Sequence, residues 1–249
     1  MSFARATALA LALCACLLAL PASAGAKSIK GIDVSRFQGI IGWKQVGETQ
    51  NRFAYLQASR GSGNDCLVAS DRCGVDETYD RNYRNAKAVG LRVGAYHRAF
   101  ASGSTPQAAK EDARIEANLF ISVVGKVRSA DLRPAIDVET PFDDMTEVSL
   151  RAWIKAWNSR VEKKLREKPL IYTNASSWAA TGDTTSFAGL GHPLWVANFD
   201  VPKPIVPAGN WGGKGWTIWQ FTSSGKVRGI DGNVDRNRLA GGFAKLSAG

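Results

Sequence analysis

The feature that most constrains the fold is a succession of short, nearly continuous apolar runs separated by polar and helical stretches. The runs fall at residues 30–34, 53–59, 91–97, 132–139, 170–173, 194–198, 217–221 and 233–235, and their length and residue types read as strands. Runs without polar alternation suit strands covered on both faces, as in a parallel sheet. Between them, residues 78–89 place Tyr79, Tyr83 and Ala86 at helical spacing and stop at Gly90, a helix terminator. Residues 106–124 open on Pro106, which a first helical turn tolerates, and carry Ala109, Ala113, Ala117 and Phe120 as an apolar stripe. Residues 146–167 set Leu150, Trp153, Ile154, Trp157, Val161 and Leu165 on one face. The later runs are separated by loops and one short helix at 176–180. No repeat, low-complexity linker or change in composition marks a second domain. The pattern predicts an α/β fold: a single irregular TIM-like (β/α) barrel of about eight strands with fewer outer helices than strands, occupying residues 25–249.

Residues 1–24 stand apart from that pattern. Arg5 precedes an apolar run from Ala8 to Leu20, and Pro21-Ala22-Ser23-Ala24 supplies a small-x-small cleavage pattern, so the segment reads as a signal peptide cut after Ala24. An acylated lipoprotein at Cys16 is the alternative, weakened because the apolar run continues past that residue. Nothing later in the chain is long and apolar enough for a membrane span. The expected location is therefore secreted or periplasmic. Two of the four cysteines fall in the signal, and in an exported chain the remaining Cys66 and Cys73 are most simply a disulfide closing a small loop. A zinc site would need further ligands, and His97 and His192 are remote in sequence.

The formal net charge is +10. The charges are scattered, with no like-charge run and no nucleic-acid-binding motif, so attraction to anionic cell-envelope polymers is the expected consequence rather than nucleic-acid binding. Phosphate-cradling glycine loops, nucleophile elbows and metal ligands at useful spacing are absent from the sequence, and no metal or cofactor is expected. The chain is expected to act as a monomer.

Chemistry enters with the acids at strand ends. Asp137 and Glu139 lie two apart at the end of the 132–139 run, so both side chains point the same way, about 7 Å apart along the strand, at the end where barrel enzymes place their active sites. Two such carboxylates repel when both are ionised, and one should keep its proton to higher pH. A neutral acid beside an ionised one is the pairing that glycoside hydrolysis uses. Acid-x-acid alone is a common loop start. Here Asp33 ends the first run and Asp235 belongs to the last, and first and last strands are neighbours in a closed barrel, so several acids converge on one mouth.

Five ordered patches carry a resemblance. They are Gly31-Ile32-Asp33-Val34-Ser35 with Gln38; Gly94-Ala95-Tyr96-His97; Ile136-Asp137-Val138-Glu139; Leu194-Trp195-Val196-Ala197-Asn198-Phe199; and Trp219-Gln220 followed by Gly232-Asn233-Val234-Asp235-Arg236-Asn237. In this the chain resembles the family 25 glycoside hydrolases, the Chalaropsis-type lysozymes or N-acetylmuramidases. The resemblance implies an irregular β/α barrel that cleaves the β-1,4 bond between N-acetylmuramic acid and N-acetylglucosamine in peptidoglycan glycan strands. It implies Glu139 as the acid that protonates the glycosidic oxygen, and Asp137 as the group that orients or charge-stabilises the sugar's N-acetyl group, which can itself attack the anomeric carbon. Asp33 and Asp235 would shape the pocket electrostatically and bind hydroxyls. A direct nucleophile stays open beside the acetamido route.

Departures from the family pattern fall on one rim. Family members often show a Lys-Ala-Thr-Glu-Gly-like stretch where this chain has Gln57-Ala58-Ser59-Arg60-Gly61, and Arg98 stands where an aromatic commonly follows the Tyr-His pair. Neither removes a catalytic acid, but both bear on substrate contacts. Tyr96, Tyr172, Trp195, Phe199 and Trp219 are the expected sugar-stacking residues, while Trp153 and Trp157 are expected to pack a helix. His97 must point away from the mouth if Tyr96 points into it, and reads as a structural histidine. Two other functions remain: a wall-binding protein without turnover, against which the intact acids argue, and a glycosidase of another acetamido polysaccharide such as chitin.

Overall fold

The computed structural model describes residues 28–62, 74–142 and 144–247. The signal segment, the Cys16 alternative and the expected Cys66–Cys73 bridge lie outside the described residues. The strands are β1 (Ile29–Val34), β2 (Asn51–Arg60), β3 (Gly74–Val75), β4 (Arg92–Arg98), β5 (Ala135–Asp137), β6 (Leu170–Thr173), β7 (Leu194–Ala197), β8 (Ile218–Gly225) and β9 (Val234–Leu239). They run in the order β1-β9-β8-β7-β6-β5-β4-β2, and β1 also pairs with β2, which closes an eight-stranded barrel. Strand β3 is a short antiparallel addition to the end of β2.

Two expectations need correction. The sheet is not parallel throughout: β9 runs antiparallel to both neighbours, β1 and β8. A parallel return needs a crossover of a dozen or more residues, and the 226–233 connection is too short for one. Chain direction therefore reverses at β9, so Asp235 stands at its start yet faces Asp33 at the end of β1. The 132–139 run pairs as a strand only over Ala135–Asp137. Pro134 has no N–H to give a ladder, and Leu132 keeps only an isolated bridge to Ser247.

Strand alternation sorts the core into two layers. Phe53, Tyr55, Ala135, Leu170, Tyr172, Trp195, Ile218 and Leu239 fill the barrel interior, closed below by Leu132 and Leu246. Two inward glycines make the large rings fit. A Cβ on Gly31 would lie 2.4 Å from the Phe53 ring, and one on Gly94 would lie 2.3 Å from the Tyr55 ring. The opposite faces of the strands, with Ile32, Leu56, Ile136, Val138 and Val196, meet the outer helices.

Those helices are α1 (Trp43–Gly47), α2 (Tyr79–Ala88), α3 (Pro106–Val124) and α4 (Glu147–Leu165). Thr105 caps α3, its hydroxyl accepting from the Ala108 N–H at 3.3 Å. Thr146 and Ser149 form a reciprocal cap on α4, and each such cap satisfies amides that the first turn leaves unpaired. Helices α3 and α4 pack on each other. Trp157 stacks on His97 with centroids 5.6 Å apart and packs on Phe120 at 5.3 Å, while Trp153 donates to Asp112 at 2.6 Å. Both tryptophans are packing residues, as their stripe predicts. After α4 only short helices follow, α5 (Ala175–Ala179), α6 (Ser186–Gly189) and the Pro207–Gly212 segment, whose residues 208–211 turn left-handed at φ 53 to 58°. The helix-poor second half matches the loops read from sequence.

Candidate active site

The open end of the barrel holds a cavity of about 220 Å³ whose walls include Asp33, Asp137, Glu139 and Asp235. A second depression of about 380 Å³, lined by Asn174, Ser176, Asn198, Phe199 and Ile205 among others, continues beyond it. Glu139 and Tyr172 border both. The two together make a groove across the barrel mouth with Glu139 between its halves. Inward alternation continues past the end of β5, so that Ala135, Asp137 and Glu139 face in while Ile136 and Val138 face the helices.

Asp33 is the most elaborately held acid. Its carboxylate accepts from the Gln220 amide at 2.9 Å and from the Asn237 amide at 2.7 Å. Each amide is aimed by a second donor: the Tyr172 hydroxyl donates to Gln220 Oε1 at 2.9 Å, and the Trp195 indole donates to Asn237 Oδ1 at 2.8 Å. Two relays therefore point N–H groups at one carboxylate, and neither amide can flip without losing a bond. Burial pushes Asp33 up to about 6, against the lowering effect of the bonds from Asn237 and Gln220. Asp235 opposes it in register and shares a hydrogen bond with it. Burial first, and the neighbouring Asp33 charge second, push Asp235 up to about 9. At neutral pH the pair holds one proton, on Asp235, with Asp33 ionised.

Across the cavity Arg98, at the end of β4, straddles the other two acids. Its Nη1 lies 3.5 Å from Asp137 Oδ1 and its Nη2 lies 3.4 Å from Glu139 Oε1. The same guanidinium donates to the backbone carbonyls of Glu139 at 3.2 Å and Thr140 at 3.3 Å, tying down the turn that carries Glu139. Burial raises Asp137 well above the ordinary carboxylate range; Arg98 opposes that rise, and Glu139 and Asp33 add to it. The Asp137 side chain is 12% exposed and that of Glu139 is 31% exposed, so of this pair Glu139 is the one more open to a ligand in the groove.

The aromatic expectations divide. Tyr96, Tyr172 and Trp195 line the first cavity, Trp195 as its nearly buried floor, and Phe199 lines the second. Trp219 is a correction. It falls on the outward phase of β8, packs against Trp216 and Phe221, and donates to the Asn198 carbonyl at 2.8 Å, while its neighbour Gln220 faces the cavity. His97 points to the helices, bonded to Ser59 at 2.8 Å and to Glu116 at 2.6 Å. Burial pushes it down to about 3, so the neutral ring donates its Nε2 proton to Glu116 and accepts from Ser59 at Nδ1. The functional roles of Gln220 and Asn237 escape a reading that looks for acids, although counting in twos from Asp235 reaches Asn237. Gln57, Phe37 and Arg60 also line the cavity. Gln57 and Arg60 carried a signal, as departures from the family pattern, and Phe37 carried none.

The family model described as glycosyl hydrolases family 25 matches residues 32–230. The chain belongs to that family. Membership makes it a glycoside hydrolase and agrees with the closed barrel. Among relatives of this family 25 chain, lysozyme M1 of Streptomyces globisporus is 33% identical over 233 residues, covering 90% of this chain and 72% of the relative. The N,O-diacetylmuramidase of Chalaropsis sp is 27% identical over 229 residues, covering 86% of this chain and 100% of the relative. The crystal structure of the bacterial lysozyme from Streptomyces coelicolor superposes with a TM-score of 0.74 at 32% identity, covering 88% of this chain and 94% of that one.

Proposed function

We propose that the chain is an exported peptidoglycan hydrolase that cleaves the β-1,4 bond between N-acetylmuramic acid and N-acetylglucosamine, with Glu139 as general acid. One observation carries the assignment: Glu139 borders both halves of the groove. A bond whose two sugars occupy the two halves crosses the groove at Glu139, within reach of a proton donor. Asp137 stands deeper, beside Arg98, where a carboxylate can orient the N-acetyl group of the reacting sugar and stabilise positive charge as the acetamido oxygen closes on the anomeric carbon. Asp33, fixed by its two relays, supplies a negative charge under the oxocarbenium-like sugar, and protonated Asp235 offers a hydroxyl donor. The names of the Streptomyces and Chalaropsis relatives support peptidoglycan as substrate. Export after residue 24 and a Cys66–Cys73 disulfide belong to the same reading.

The raised Asp137 favours a second division of labour, in which Asp137 donates the proton. An aryl glycoside whose leaving group departs without protonation separates the two. The variant lacking the acid keeps most of its activity on that substrate and loses it on natural glycan, whereas the variant lacking the assisting group loses both. Glu139→Gln is expected to show the first behaviour and Asp137→Asn the second; the reverse pattern exchanges the roles. Peptidoglycan digested by the wild type should yield new muramic acid reducing ends by mass spectrometry, absent with Glu139→Gln. Products from chitin alone would move the substrate to another acetamido polysaccharide, and binding without products would make the chain a wall-binding protein. Inversion at the anomeric carbon would eliminate the acetamido route.

A further inference from the structure

Arg60 is a cation in the groove that the proposed chemistry does not use. It ends β2 directly beside Arg98 in the β2–β4 register and lines the same cavity as the four acids. The neighbouring cations are already engaged. Arg98 is held by Asp137 and Glu139, and Arg36 pairs with Glu77 at 3.3 Å and with Asp76 at 3.9 Å. Among the described residues no carboxylate pairs with Arg60, and its Nε is buried without a hydrogen-bond acceptor. What holds the guanidinium is aromatic: its carbon lies 4.8 Å from the Phe100 ring centroid and 5.8 Å from that of Phe37. A ring contact takes up no N–H donor, so the terminal N–H groups of the guanidinium keep their capacity to bind a planar anion. Burial and the nearby charges of Arg98 and Arg36 make the position costly for a cation, and that cost falls when an anion arrives.

We propose that Arg60 is the recognition site for a carboxylate borne by the lactyl ether branch of a muramoyl residue in the groove. The inference rests on the peptidoglycan reading above and deepens it. A muramoyl residue differs from N-acetylglucosamine by that 3-O-lactyl branch, so a cation reading its carboxylate separates peptidoglycan from chitin. The carboxylate has two sources. It is the free lactyl carboxylate on strands stripped of peptide, or a carboxylate of the stem peptide where the lactyl group is amidated. A carboxylate meeting the fork of an arginine makes two parallel charge-assisted bonds.

Binding tests the proposal without requiring turnover. Calorimetric titration in the Glu139→Gln background compares Arg60, Arg60→Gln and Arg60→Lys against three probes. The probes are a GlcNAc-MurNAc tetrasaccharide with free lactyl carboxylates, the same glycan carrying L-Ala-D-isoglutamine, and chitotetraose. Arg60→Gln is expected to weaken binding of a muramoyl probe roughly tenfold or more, with Arg60→Lys intermediate and chitotetraose unchanged. A loss confined to the first probe assigns the lactyl carboxylate, and a loss confined to the second assigns the peptide. Equal affinity of Arg60 and Arg60→Gln for both muramoyl probes overturns the proposal, as does an equal loss on chitotetraose, which marks a packing defect. Absence of products from Glu139-containing enzyme on peptidoglycan refutes the hydrolase reading and leaves these ratios interpretable.

Discussion

The pair formed by Asp33 and Asp235 sets function against stability, and substituting Asp235→Asn measures the cost. The amide introduced by that change would still donate an N–H to the Asp33 carboxylate, so the contact survives while the titration disappears. Asp235 is raised from 3.8 to about 9 in the fold. Over that interval the folded protein keeps a proton that the unfolded chain has released. The stabilisation this group contributes is complete below pH 3.8 and is lost as pH rises towards 9. Each pH unit in that window costs about 1.4 kcal/mol, or about 4 kcal/mol between 3.8 and neutrality. Solvent reaching the mouth and the sharing of the proton with Asp33 reduce the expected gain of Asp235→Asn at pH 7 to roughly 2 kcal/mol. Urea unfolding of both proteins from pH 4 to 9 checks it. The curves should meet near pH 4 and diverge as pH rises, the variant becoming more stable while losing activity. Curves that stay parallel across that range, or a variant less stable at pH 8, refute the shared-proton argument.

Arg98→Gln removes the cation that opposes the rise of Asp137. The Asp137-dependent limb of the pH–rate profile should move to higher pH, and kcat should fall by roughly tenfold to a hundredfold as the Glu139 turn loosens. Tyr172→Phe breaks the relay to Gln220 and is expected to lower kcat/KM several-fold, whereas Trp219→Phe, outside the groove, should leave KM unchanged; steady-state kinetics on soluble glycan compare them. Trp157→Ala empties a fully buried site against His97 and Phe120 and should cost about 3–5 kcal/mol by urea unfolding. His97→Gln should destabilise the fold without moving any limb of the rate profile between pH 5 and 8, because burial already keeps the ring neutral there.

Much of this molecule was legible along the chain because the deciding physics is local. Apolar runs, a terminating glycine at 90, Pro106 opening a helix and the stripe through Trp153 and Trp157 state which face of each element leaves water, and the elements formed where those signals lie. The period of two along a strand also foretold that His97 and Tyr96 would part. The same rule, followed from Gln220, would have turned Trp219 outward. Loss of strand pairing before Ala135 was legible too, in Pro134, a proline without a donor.

The sequence alone determined the eight barrel strands and the three long helices, the segregation of their faces, and the presence of acids beside strand ends. Only the tertiary structure decided that β9 runs backwards and so brings Asp235 against Asp33, that Arg98 spans Asp137 and Glu139, and that Tyr172 and Trp195 aim two amides at one carboxylate. The physical reason is range. Burial pattern and capping act between residues a turn or a pleat apart, whereas closure brings together groups some 200 positions apart, as with Asn237 and Asp33, and their proton affinities exist only once water has been excluded between them.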